Sequence, residues 1–214
     1  MMLGVMVPWI RRAAPVMIAL ASLSVANGQA SAPNPNRPSL FLVGDLSSSS
    51  VGDTFDPNRI KLVESGAVGQ TSRAYIKSGA WDQLAGQIKP GDFVLIEFNP
   101  EGQGGQDHDD AQRTLKGMGD GTFDYLDPGT KKLELVHSYG WYLRKIVVDA
   151  INHGANPILC SPLAGAKDGA GDWTKAIATE QRIPFVDLSG TGVKGGLVAL
   201  KADPLAAYLV GAGK

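Results

Sequence analysis

Four short apolar runs recur along the chain, each separated from the next by turn residues and a stretch of helical spacing. They are SLFLVG (39–44), FVLIEF (93–98), NPILCS (156–161) and PFVDL (184–188). Short apolar runs bounded by turn signals read as strands buried on both faces, which is the pattern of a parallel sheet. KLVESGAV (61–68) is a weaker fifth candidate. Between the runs, GAWDQLAGQI places Trp81, Leu84 and Ile88 on one helical face. ELVHSYGWYLRKIVVDAINHG reads as one long helix with apolar or small residues at Val136, Gly140, Leu143, Val147, Ala150 and Ile151, stopping at Gly154. DWTKAIATEQ runs from an Asp172 cap through Trp173, Ala176 and Ile177, and DPLAAYLVGAG predicts a last short helix with proline in its first turn. Strand and helix alternate. The expected architecture is a three-layer α/β sandwich around a parallel sheet.

Composition sets the outer bounds. The 214 residues are 43% hydrophobic and 19% charged, with a net charge of −1. That suits one compact domain with a sizeable core. The near-neutral balance gives no electrostatic case for nucleic acid or an anionic membrane as partner. The single cysteine, Cys160, excludes an internal disulfide, and its apolar run predicts a buried inert thiol. The first residues read as a targeting segment. MMLGVMVPWIRR carries Arg11-Arg12, the apolar run AAPVMIALASLSVA follows, and Ala30-Ser31-Ala32 offers a small-residue cleavage pattern. The run is short beside the roughly twenty residues of a membrane span. The expected division is a signal peptide at 1–32, a leader at 33–38 and the domain at 39–214, with the mature protein secreted or periplasmic and off the membrane. An uncleaved anchor is the alternative.

In open α/β sheets the site lies beyond the carboxyl ends of the strands. Those ends carry Gly44-Asp45-Leu46, Val68-Gly69-Gln70, Asn99-Pro100-Glu101 and Ser161-Pro162. FLVGDLSSSS has the layout of a strand that delivers a nucleophile to the rim of a sheet, yet the residue after Gly-Asp is Leu46. The glycine-rich PEGQGGQ lacks the lysine and spacing of a phosphate loop. Nothing in the sequence calls for a cofactor or a metal.

Taken together, VHSYGWYLRKIVVDAINHGANPILCSPLAG, QRTLKGMGDGT, GDFVLIEF and IPFVDLS resemble the rhamnogalacturonan acetylesterase branch of the SGNH (GDSL-like) hydrolases, over roughly residues 38 to 190. The resemblance implies a flavodoxin-like α/β/α sandwich and removal of acetyl groups from pectic polysaccharide by a Ser-His-Asp triad with an oxyanion hole. It puts Leu46 where the family keeps its nucleophilic serine, and Gly69 where a backbone N–H serves the oxyanion. Glu101 falls at the place of the oxyanion asparagine. The family's late Asp-x-x-His has no counterpart, since no histidine follows His153. Acetylated polysaccharide or oligosaccharide is the implied partner, with Asp45, Gln70 and Asn99 as candidate substrate contacts.

Leucine cannot attack an acyl carbon, and an ionised glutamate accepts hydrogen bonds where an oxyanion needs a donor. Ser47 reaches the site only if the turn is re-registered; otherwise it is a turn-capping serine. His108 in QDHDDAQ is either a substitute base or a solvated loop residue, and the Asp107-His108-Asp109-Asp110 cluster fits no metal loop. His137 reads as a structural residue at a helix start, and His153 as a helix-terminal one. Trp141 and Trp173 read as packing residues, with a sugar platform as the alternative. Three functions follow: an esterase rebuilt around Ser47, a non-catalytic saccharide-binding homologue, or a defective gene product.

Overall fold

A computed structural model describes residues 34–100, 114–163, 169–190, 192–198, 200 and 203–210, all of which lie in one compact unit, Ala32–Lys214. The expected signal peptide, 1–32, lies outside the described residues. Five strands form a parallel sheet: β1 (Ser39–Gly44), β2 (Lys61–Glu64), β3 (Phe93–Glu97), β6 (Asn156–Cys160) and β7 (Phe185–Val186). Their spatial order is β2-β1-β3-β6-β7. Counting the parallel strands alone, this is the 2-1-3-4-5 order of flavodoxin-like sheets, and it puts the switch in strand order between β1 and β3. The register pairs Phe41 with Val94 and Gly44 with Glu97 across that switch. The expected α/β/α sandwich is the observed one.

Strand periodicity divides the core in two. Phe41 and Val43 of β1 and Val94 and Ile96 of β3 point to one face, where Tyr75, Trp81, Leu143, Ile146 and Ile177 cover them. The helices on that side are α2 (Ser72–Lys77), α3 (Ala80–Ala85), α4 (Tyr139–Asn152) and α5 (Ala170–Gln181). Leu40 and Leu42, with Leu95 and Ile158, point to the other face, under Val51, Phe55, Leu197 and Leu205. Among the described residues that layer holds α1 (Ser48–Val51), α6 (Gly192–Val198) and two short 3-10 turns.

The long segment 134–154 departs from its helical reading. Leu133–His137 is a strand, β5, paired antiparallel with β4 (Thr122–Leu126), and the helix begins at Tyr139. Ser138 makes the break: its extended backbone caps the helix and its Oγ accepts the N–H of Trp141 at 3.1 Å. Val136 is thus a buried strand residue, and Ile151, expected on the apolar face, is 44% exposed. A leucine-valine run gave no sign that its first residues alternate faces. Two smaller corrections concern caps. α5 starts at Ala170 after Gly169, with Asp172 in its first turn instead of capping it. Pro204–Tyr208 is a 3-10 turn rather than an α-helix, capped by Asp203, whose carboxylate accepts the N–H of Leu205 at 2.8 Å.

TLKGMGDGT (114–122) and GWYLRK prove to be one structural unit; Gln112 and Arg113 of the same block lie outside the described residues. Residues 115–119 run past the first turn of α4 and take its free donors: the N–H groups of Tyr139 and Gly140 bond the carbonyls of Leu115 and Gly117 at 2.8 and 3.0 Å. Arg144 forks both terminal nitrogens onto the carbonyl of Met118, each at 2.6 Å, and Ser138 Oγ donates to Gly119. Gly140 is glycine because a Cβ there would stand 2.5 Å from the Met118 Cα.

Candidate functional site

The strand-order switch brings Gly44-Asp45-Leu46 against the end of β3. Gly44 has φ +103°, and a Cβ would meet the Glu97 carbonyl oxygen at 1.4 Å, so only glycine fits. Asp45 N–H then points at Glu97, 3.1 Å from Oε2 and 3.3 Å from the carbonyl oxygen. The side chain of Asp45 turns the other way, and its Oδ1 accepts the N–H of Gly69 at 2.5 Å. Gly69 has φ +80° in the turn before α2, where Gln70 N–H bonds the Ala67 carbonyl and Thr71 caps the helix. Three separated strand ends, after β1, β2 and β3, therefore meet at one place, as the strand-end rule requires.

Glu97 is the residue that the sequence reading missed. It is 1% exposed, and its two oxygens accept the N–H groups of Asp45 and Leu163, at 3.1 and 2.9 Å. Burial pushes its pKa up to about 7, the charge of Asp45 adds to the rise, and the two backbone donors oppose it. The signal was present in the sequence as a lone acidic residue inside FVLIEF, an otherwise apolar strand. Neither Asp45 nor Glu97 has a cationic partner among the described residues. Glu97 thus works as a staple between β1, β3 and the segment after β6. Cys160, next to it at the end of β6, is fully buried, and burial with the nearby Glu97 charge raises its thiol pKa well above the ordinary value.

Leu46 does not face this junction. It is 2% exposed and packs in the second core layer with Leu40, Val51, Phe55 and Leu205. Ser47 is half-buried and joins a local serine turn: its N–H donates to Ser50 Oγ at 3.2 Å, and Ser50 Oγ donates back to the Ser47 carbonyl at 2.7 Å. Asn99 is half-buried at the end of β3, beside the buried Pro100. Glu101, His108 and the neighbouring aspartates lie outside the described residues. Among the described residues no group of three His, Cys, Asp or Glu side chains is arranged to hold a metal ion.

The two remaining histidines are placed by packing. His137 ends β5 and lies flat on Trp141, with centroids 3.9 Å apart at 11°. His153 caps the end of α4, its N–H bonding the Asp149 carbonyl. Trp173 packs against Tyr139, whose hydroxyl donates to the Phe98 carbonyl at 2.8 Å. At the ends of β6 and β7, Ser161 and Ser189 donate their hydroxyls to Asp187 Oδ1 at 3.2 and 2.6 Å, which holds that carboxyl below the usual range.

No protein-family model matches the chain. In sequence it is 26% identical over 149 residues to a rhamnogalacturonan acetylesterase of Emericella nidulans, covering 67% of this chain and 58% of the relative. The chain thus spans little more than half the length of that protein. Among solved structures, a structural-genomics target from Bacillus subtilis aligns with a TM-score of 0.49 at 13% identity, over 71% of this chain and 44% of that one. A Desulfitobacterium hafniense protein, described as lipolytic and of the G-D-S-L family, aligns with a TM-score of 0.41 at 16% identity, over 81% and 85%. The sequence relative makes this chain similar to a rhamnogalacturonan acetylesterase, on a sheet with the flavodoxin-like strand order.

Proposed function

We propose that this chain is a carbohydrate-acetylesterase-like homologue with little or no hydrolytic turnover of its own. The observation that carries the reading is the bond from Gly69 N–H to Asp45 Oδ1. The donor that the family's pattern assigns to the oxyanion is here engaged by a carboxylate. An oxyanion approaching Gly69 would meet negative charge in place of a free N–H.

Two further observations support it. The Leu46 side chain is committed to the core, and leucine carries no nucleophilic atom. Ser47, the hydroxyl next to Leu46 in the chain, sits in a turn closed by Ser50. The substrate class of the reading is an acetylated saccharide, taken from the sequence relative, with Asp45, Gln70 and Asn99 as the groups that would meet it. Ser47 and Gly69 remain the residues on which any residual hydrolysis would rest. The mature protein would act in the secreted or periplasmic compartment that the expected signal peptide, 1–32, implies.

The deciding experiment is hydrolysis of an activated acetyl ester by the purified protein beside its Ser47→Ala variant. The expected result is a rate near the buffer background that Ser47→Ala leaves unchanged. Robust turnover that Ser47→Ala abolishes would establish instead an esterase rebuilt around that serine.

A further inference from the structure

Between α2, the β4–β5 hairpin and the first turn of α4 lies a cavity of about 550 Å³, within the size range of small-molecule sites. None of Gly44, Asp45, Leu46, Gly69 or Asn99 lines it. One wall is aromatic: the flat His137–Trp141 stack, met edge-on by Tyr142 at 5.1 Å from Trp141. Aliphatic residues continue the lining: Ile76 of α2, and Leu133 and Leu135, which share the face of β5 that carries His137. The two leucines are 67% and 53% exposed, on the hairpin face away from the core. Apolar side chains left open to water beside a cavity of this size mark a surface that binds something.

The rim decides the polarity of what it binds. Arg73 Nε bonds Glu134 Oε1 at 2.8 Å, and Lys77 Nζ bonds Glu134 Oε2 and Asp127 Oδ2 at 2.7 and 3.4 Å. Both rim carboxylates are thereby engaged. Lys132 also lines the cavity and has no carboxylate within ion-pair distance among the described residues. The lining holds three cations, Arg73, Lys77 and Lys132, against two carboxylates, an excess of one positive charge. A neutral sugar offers no charge to Lys132, and both lining carboxylates already pair with Arg73 and Lys77.

We propose that this cavity is a binding site for a small aromatic monocarboxylate. The ring lies along the apolar lining formed by the His137–Trp141 stack and the hairpin leucines, and the carboxylate meets Lys132. The proposal is independent of whether the strand-end junction hydrolyses esters, because no residue is shared between the two.

The test is calorimetric titration of the full chain with 2-naphthoate, with 2-naphthol and galacturonate as probes lacking the charge and the aryl ring respectively. The expected result is saturable 2-naphthoate binding, a few-fold tighter than 2-naphthol, and none for galacturonate. Lys132→Gln should erase the preference for naphthoate over naphthol, an effect of about fivefold at most for an exposed ion pair. Leu133→Asp alters a solvent-facing side chain, so the fold is kept, as a melting curve will verify. It should weaken both aromatic probes about tenfold. Absence of saturable 2-naphthoate binding, unchanged binding in Leu133→Asp, or equal binding of galacturonate would each overturn the proposal.

Discussion

The carboxylate of Asp45 holds the backbone N–H of Gly69 at 2.5 Å, so the end of β1 is tied to the turn that launches α2. A charged acceptor on a part-buried N–H gives one of the stronger single hydrogen bonds in a fold. Asp45→Ala leaves that donor unmet and should cost about 1.5–3 kcal/mol. Asp45→Asn keeps an acceptor and should cost less than half as much. Urea unfolding of the two variants beside the parent checks the order, and equal losses would mean that the side chain's role is not this bond.

Glu97 gives the fold a distinctive pH dependence. Its folded-state pKa of about 7 lies above the ordinary 4.5, so the native state holds the proton more tightly than the unfolded chain does. Its contribution to stability is complete below pH 4.5, declines as the pH rises, and is gone once the pH passes about 7. Asp187, Asp127 and Glu134 are shifted downward. Their contributions are lost at the acid end, as pH falls through their folded values, and so fall outside this window. Urea midpoints should therefore drop between pH 5 and pH 7.5. In Asp45→Asn, which removes a nearby negative charge, the Glu97 pKa should fall and the drop should shift to lower pH.

Gly140 allows the loop around Met118 to lie on α4. Gly140→Ala would place a Cβ 2.5 Å from the Met118 Cα, and backbone cannot rotate away as a side chain can. The expected cost is about 1–3 kcal/mol, the usual range for overpacking. Arg144→Ala, which frees the Met118 carbonyl without a clash, should be milder. Thermal melts of both variants check this.

Four strands of the sheet were legible because each is a short apolar run between turn residues, and their alternation with helices set the layer architecture; the edge strand β2, KLVE, was the weaker signal because only its two middle residues are apolar. β5 was not legible, because LELVH continues into a strong helical pattern and only the single cap at Ser138 separates them. The strand-end blocks were legible in position. Their hydrogen bonding was not, since nothing in GDL or VGQ says that Asp45 will face Gly69 and turn its N–H to Glu97. The orientation of Leu46 was likewise hidden: it depends on φ +103° at Gly44, which turns the chain so that the next apolar side chain enters the layer beside Leu40 and Phe55.

Restoring a serine at position 46 should therefore fail twice. Leu46 is 2% exposed among Leu40, Val51, Phe55 and Leu205. Leu46→Ser removes most of a buried aliphatic side chain and puts a hydroxyl in an apolar layer, at a cost of about 3 kcal/mol or more. The new hydroxyl would lie under α1, away from the Asp45–Gly69 junction, with no described histidine near it to take its proton, since His137 is stacked on Trp141 and His153 caps the far end of α4. Catalytic groups that act as a unit give strongly non-additive effects, so a single repair recovers little. Turnover of an activated acetyl ester should stay within about tenfold of the parent, while the melting temperature falls. Adding Asp45→Asn, which lifts the negative charge beside Gly69, should not change that outcome. A thousandfold rise in Leu46→Ser alone would show that the turn re-registers to present position 46 and that a base is already in reach, and the proposal of little turnover would then be wrong.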